Sequence, residues 1–268
     1  MTFDFALAWT SLPALLDGAW MTVLITVSVM AVGAVLGFGM CLVRMSRNRV
    51  LAAIGAAYVA VFRGAPSIVL LYLVYAGLPQ LSIVRDTPLW LLFASPLFCA
   101  ILALGLNHSA YVVEILRGGL SAVPAGPVEA ALALGLPPRI VFVKVRLPMA
   151  VRYGLKAYQN EVLIFLKSTV AVGAVTIADL TGAANEIFAM TYDPFTPLVT
   201  AGAMYWLLTN GLRLGFEALD RRLNRHLGTT VPDRRPATVR RSRPGLSLFG
   251  QPLVRRRLPA KPAARETH

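Results

Sequence analysis

Residues 129–148 read EAALALGLPPRIVFVKVRLP, and the break inside this run decides how the whole chain is organised. Gly135-Leu136-Pro137-Pro138 cuts the apolar part far short of the roughly 20 residues that cross a bilayer. Glu129, Arg139, Lys144 and Arg146 gather around the cut. Pro127 suits the first position of a helix, where its missing N–H has no partner to lose. Residues 128–134 then make about two helical turns, with Glu129 near the positive end of the helix dipole. Gly135 is a C-terminal stop, and Pro137 and Pro138 open the next segment. Val128, Ala131, Leu132 and Gly135 share one side of this small helix. So short a helix has little stability of its own, and it needs neighbours or a receiving partner to hold it.

The segments on either side are of a different kind. The 268 residues are 56% hydrophobic and 15% charged, and the apolar residues come in long runs rather than at the three-to-four spacing of a half-buried helix. Five runs match bilayer thickness, at about 19–43, 58–77, 90–116, 155–180 and 198–219. They imply an all-α polytopic membrane protein. The second run is interrupted by Arg63-Gly64-Ala65-Pro66, where Pro66 removes a backbone donor. The first is longer than a signal-peptide core and lacks its basic start, since Asp4 and Asp17 stand there instead.

Basic residues set the orientation, because cytoplasmic loops carry excess Lys and Arg. Arg44, Arg47 and Arg49 follow the first run. Arg117, Arg139, Lys144, Arg146, Arg152 and Lys156 lie between the third and fourth, and many more follow Arg221. The other face holds Asp4, Asp17, Asp86, Asp179, Glu186 and Asp193 against Arg85 alone. Residues 1–18 are therefore expected outside the cytoplasm, 19–223 form the transmembrane unit with a cytoplasmic loop at 117–152, and 224–268 form a basic, Pro-rich cytoplasmic tail. The net charge of +13 is concentrated in that tail. Its composition predicts disorder, and its charge suits anionic lipid at the membrane surface rather than nucleic acid, as no folded basic face accompanies it. Cys41 and Cys99 lie apart in apolar runs, and the three histidines make no ligand set, so neither a disulfide framework nor a metal site is expected. No phosphate-binding G-x-x-x-x-G-K-[ST] occurs, and no nucleophile sits in a catalytic setting. The chain is expected to bind no cofactor and to be no enzyme.

Several segments carry a resemblance. Glu129-Ala130-Ala131, then Gly135, then Leu147-Pro148 resembles the EAA loop of ATP-binding-cassette importer permeases. YVAVFRGAPSIVLLYLVYAGLP (58–79), AYVVEILRGGLSAVPAG (110–126), KAYQNEVLIFLKSTVAV (156–172) and TYDPFTPL (191–198) are similar to permeases for polar amino acids, most of all to histidine- and octopine-type subunits. The likeness covers about residues 18–225. It departs from the family pattern at Pro127, where a polar residue is usual, and at Leu155-Lys156-Ala157, where a proline is usual. The resemblance implies a type I importer permease fold of five transmembrane helices. It implies a coupling helix in which Glu129, Ala130, Ala131 and Gly135, with Leu147 and Pro148 behind them, seat in a cytoplasmic ATPase. It further implies a second homologous permease chain, two ATPase subunits, an extracytoplasmic solute-binding protein and a bacterial inner membrane. The cargo it implies is a polar amino acid, basic or opine-like, with neutral or acidic amino acids as the alternative. A standalone carrier is a competing class, weakened by the absence of an evident inverted repeat; a non-transporting scaffold is another, and would not need the polar stripe of the fourth run.

Ionisable groups at membrane depth are costly and face a cavity or a partner. In the fourth run Asn160 and Lys167 are seven residues apart, as are Glu161 and Ser168, so the pairs occupy adjacent strips of one helical face expected to point into the bundle. Glu161 and Glu114 are candidate contacts for a cationic amino acid. Glu114 has a second reading as the partner of Arg117 three residues on, Lys167 as a structural or gating cation, and Asn107 and His108 as bridges between helices. Asp179, Glu186 and Asp193 are either docking charges for a binding protein or solvated loop charges. Gly202, Gly211 and Gly215 in the fifth run fit close helix packing.

Overall fold

The computed structural model describes residues 2–224 and is helical, without a strand among the described residues. The tail expected to be disordered lies outside the described residues. α1 (Phe5–Arg44) is capped by Asp4, whose carboxylate accepts from the N–H groups of Ala6 and Leu7 at 2.8 and 3.1 Å. The expected extracytoplasmic arm is thus mostly the first turns of this helix. At 1.5 Å per residue, α1 is about 60 Å long, about twice the hydrocarbon thickness.

α2 (Arg49–Gly64) begins at an Asn48 cap and ends where Ala65, held extended by the following Pro66, breaks it. α3 (Ser67–Tyr72) continues through a wider π turn at Leu73–Gly77. The two halves meet at 102°, so the expected second span is a sharply bent pair rather than one straight helix. Short turns α4 (Ser82–Arg85) and α5 (Trp90–Phe93) lead to α6 (Pro96–Ser121), which starts with the Ser95 side chain accepting from the Phe98 N–H. The third span accordingly begins about a turn and a half later than expected.

α7 (Ala125–Ala133) and α8 (Pro138–Val141) form the loop around the quoted stretch. α9 (Leu147–Ser168) follows, two turns earlier than the expected fourth span, and passes into a 3-10 segment at Thr169–Val175. A 52° bend then leads to α10 (Leu180–Thr191), and α11 (Phe195–Leu223) closes the bundle.

On length and composition alone, α1 and α6 are able to cross a membrane, and the two bent pairs raise the number to four. α11 is 29 residues long but carries Asn210, Arg213 and Glu217, so as the fifth span it requires cover for its polar face.

α1 and α6 run side by side as the central pair. Small residues let them approach. A Cβ on Gly33 would lie 2.6 Å from the His108 ring, one on Gly37 2.6 Å from Val112, and one on Gly105 2.9 Å from Val32. The main core lies between them, with Ile25 and Val29 of α1 meeting Cys99, Ala103 and Leu104 of α6, beside Phe165 of α9.

Candidate functional site

Three polar centres and one apolar surface emerge from this scaffold. The apolar surface is the loop at 125–148. α7 starts at Ala125, two residues before Pro127, the expected first position, and Pro127 falls in its first turn, where helix N–H groups have no intrahelical partner anyway. Gly135 adopts φ +78°. Its N–H donates to the Leu132 carbonyl at 2.9 Å, and the Leu136 N–H donates to Ala131 at 3.3 Å, the paired bonds of a Schellman stop. Ala131 is buried against the loop, whereas Glu129 and Ala130 are exposed. Leu132, Leu134 and Leu136 also face outward, Leu134 at 82% exposure, an unusual arrangement for three leucines in a solvated loop. Glu129 makes no ion pair among the described residues.

Behind α7 the linkage is stiff. The π turn at Phe142–Arg146 runs directly into Leu147 and Pro148, the first two residues of α9. Arg146 donates to the Leu120 carbonyl at 3.4 Å, and Gly119 of α6 packs directly on the Ala150 carbonyl of α9. The π turn and α9 are thus joined to the end of α6.

The intramembrane candidates separate into distinct environments. Glu114 is held by two arginines: Arg44 Nε at 3.0 Å on one oxygen and Arg117 Nη2 at 2.6 Å on the other. It ties the ends of α1 and α6 together, and both oxygens are taken, so its reading as a substrate contact gives way to the pairing. Asn107 donates to the Phe62 carbonyl at 2.5 Å, joining α6 to α2, and Tyr58 and Ser109 hydroxyls meet at 2.6 Å beside it.

The four residues of the α9 stripe do not point one way. Glu161 faces the bundle with 17% of its side chain exposed, its Oε1 3.9 Å from His108 Nδ1. His108 is fully buried between Gly33 and the rings of Tyr158 and Phe165, and both of its ring nitrogens lack a hydrogen-bond partner. Asn160 and Lys167 lie on the exposed side of α9, and the Ser168 hydroxyl turns back to the Ile164 carbonyl at 3.1 Å. The expectation that both strips enter this chain's own bundle is corrected: the 3.6-residue turn separates Glu161 from its immediate neighbour Asn160 by about 100°.

At a third polar centre the structure departs from the sequence expectation. Asp179 is neither a docking charge nor a solvated one; it is fully buried. It accepts from Tyr205 Oη at 2.9 Å, Thr169 Oγ1 at 3.3 Å and the Gly182 N–H at 2.9 Å, and so caps α10 while binding α9's end to α11. Thr22 of α1 accepts from the adjacent Leu180 N–H at 3.1 Å. Glu186, by contrast, is exposed. Asp193 receives the Phe195 N–H at 2.9 Å at the start of α11, and its carboxyl is held below the ordinary range chiefly by the Thr196 side chain. Asp179-Leu180-Thr181-Gly182, an Asp directly before a helical run, was the available signal for the cap.

Among known proteins, residues 30–225 match the family described as binding-protein-dependent transport system inner membrane component. The chain is 37% identical over 207 residues to the nopaline transport system permease protein NocM of Agrobacterium fabrum, covering 77% of this chain and 86% of that protein. It is 37% identical over 240 residues to the octopine transport system permease protein OccM of Rhizobium radiobacter, covering 88% and 98%. Among solved structures, an amino acid ABC transporter crystallised with histidines superposes with a TM-score of 0.72 at 31% identity, over 83% of this chain and all of that one. Proteins of this kind are transport subunits rather than enzymes; they reside in the inner membrane and work with an ATPase and a solute-binding protein. The expected resemblance is the relationship found, and the chain belongs to the family of binding-protein-dependent transport system inner membrane components.

Proposed function

We propose that this chain is the half-pathway through which a cationic amino acid or an opine derivative enters a bacterium, driven by ATP that the chain itself does not bind. It works with a second, similar permease chain and two ATPase copies, its N-terminus in the periplasm and its C-terminus in the cytoplasm. It holds no metal or cofactor of its own. The similarity to permeases named for nopaline, octopine, arginine and histidine supports the cargo class.

Within the chain, the single observation that carries the reading is Glu161. Its carboxylate is mostly withdrawn from solvent at the middle of α9, and among the described residues no Lys or Arg pairs with it. Arg63, held over the Tyr111 ring, is near enough to act on it without touching it, and a carboxylate with no cation in contact is suited to receive one from a passing solute. The cytoplasmic motor seats against Glu129, Ala130 and the exposed leucines of α7. Its closure shifts α7, and the stiff connection to α6 and α9 converts that shift into a change in which side of the membrane the pathway opens to.

Uptake of labelled arginine in cells lacking this chain, with competing histidine, octopine and glutamine, tests the assignment. Restoration by the wild type, loss in Glu161→Gln, and competition by the cationic and opine compounds alone are expected. Restored transport of glutamine with no arginine uptake would overturn the cargo class.

A further inference from the structure

The end of α9, α10 and the middle of α11 enclose a cleft of about 470 Å³ lined by Lys167, Thr181, Tyr205, Trp206 and Thr209. That volume lies within the roughly 300–1,000 Å³ of small-molecule sites. Three features make it more than a packing fault. Lys167 has no carboxylate partner among the described residues, although it stands about 30 Å along α9, where an unanswered charge is costly. The Thr209 hydroxyl is buried in the wall without any hydrogen-bond partner. The nearby carboxylate, Asp179, is sealed away and already accepts from Tyr205, Thr169 and the Gly182 N–H.

Because Tyr205 gives its proton to Asp179, Thr181 is the donor in the 3.1 Å Thr181–Tyr205 pair. With the Tyr205 and Thr181 protons thus committed, the cleft presents one ammonium and the free Thr209 hydroxyl, and no negative charge. The remaining wall is apolar, with the Trp206 ring 65% exposed.

We propose that this cleft is an oxyanion site: it takes a carboxylate or phosphate carried on a small amphipathic body, Lys167 supplying the countercharge, Thr209 a hydrogen bond and Trp206 an apolar wall. Two sources share that chemistry, the carboxylate of the solute being carried and the headgroup of an anionic lipid. The first rests on the transport reading above; the second does not.

The test uses the assembled transporter in nanodiscs of phosphatidylcholine, with lysine labelling by an amine-reactive reagent read by mass spectrometry. The chain has Lys144, Lys156, Lys167 and Lys261, so the other three serve as internal references. Arginine, its decarboxylated analogue agmatine, and discs containing phosphatidylglycerol are compared. Labelling of Lys167 alone is expected to slow about tenfold when arginine is present at about ten times its dissociation constant, and not with agmatine. Slowing by phosphatidylglycerol without arginine would assign the oxyanion to lipid and equally support the site. Thr209→Val is expected to lessen whichever protection is seen.

Equal labelling of Lys167 in every condition overturns the proposal, as does a Lys167 that resists labelling in ligand-free neutral discs, where an empty cleft must leave it open. ATP-driven arginine uptake by the same preparation separates the two claims. Normal uptake with unprotected Lys167 discards the cleft alone. No uptake of any cationic solute, with Lys167 protected by lipid, discards the transport reading and keeps the cleft.

Discussion

Gly135 tests the coupling role proposed for the loop at 125–148 in isolation from everything else. A Cβ placed there meets no atom within 4 Å, so substitution by alanine causes no collision. The whole cost comes from φ +78°, a left-handed conformation that costs an L-residue about 1–2 kcal/mol. That is about a five- to thirty-fold shift against the closed loop end, because the bonds from Gly135 and Leu136 back to Leu132 and Ala131 hold only at positive φ. Gly135→Ala is therefore expected to lower ATP-driven uptake, by at most that factor, at normal chain abundance in the membrane. Gly135→Asn should retain more, since asparagine tolerates the left-handed region better than other residues with a side chain. Gly126 is the control: it lies in the same loop, also with open space, but in α7 at ordinary helical angles, where alanine stabilises by about 0.5–1 kcal/mol. Equal uptake by Gly135→Ala and Gly126→Ala, both at the wild-type rate, would refute the reasoning.

Two further substitutions probe the scaffold. Gly33→Ala drives a methyl to 2.6 Å from the His108 ring and should cost about 1–3 kcal/mol, whereas Gly39→Ala on the same helix, with nothing within 4 Å, should stabilise by about 0.5–1 kcal/mol; thermal unfolding in detergent compares them, and equal midpoints would contradict the α1–α6 register. Asp179→Ala strands the Tyr205 hydroxyl and the Gly182 N–H at about 1–3 kcal/mol for each group left unsatisfied, the Thr169 hydroxyl keeping the Leu166 carbonyl at 3.0 Å, while Asp179→Asn keeps an acceptor and should recover much of the loss. Identical melting of the two would show that the buried network is not what holds α10.

What could be read in the chain beforehand follows sequence distance. The short helix and its stop at Gly135 are legible because their signals are local: Pro127, Gly135 and Pro137-Pro138 act on their own backbone within a few residues. Even there the expected helix start is two residues late, since Ala125 and Gly126, turn material before Pro127, join the helix. The break at Ala65-Pro66 was visible, but not its angle, which depends on how α3 packs on α6. Glu114 with Arg117, three residues apart, was foreseeable, whereas Arg44, which lies 70 residues away and completes the clamp, was not. Asp179 was misassigned because an acidic residue in an outer connection looks solvated until Tyr205, 26 residues on, closes over it. The α9 stripe was misjudged for another reason: adjacent strips on a helix diverge, and only the neighbouring helices decide which strip is covered.

The central claim is that α7 receives the work of a separate ATPase and that this chain moves solute only when it does. Labelled arginine uptake should be measured in cells lacking this chain, restored with the chain alone and with the chain plus its partner ATPase. Uptake only when both are present is the predicted result; uptake that persists without any ATPase would contradict the account.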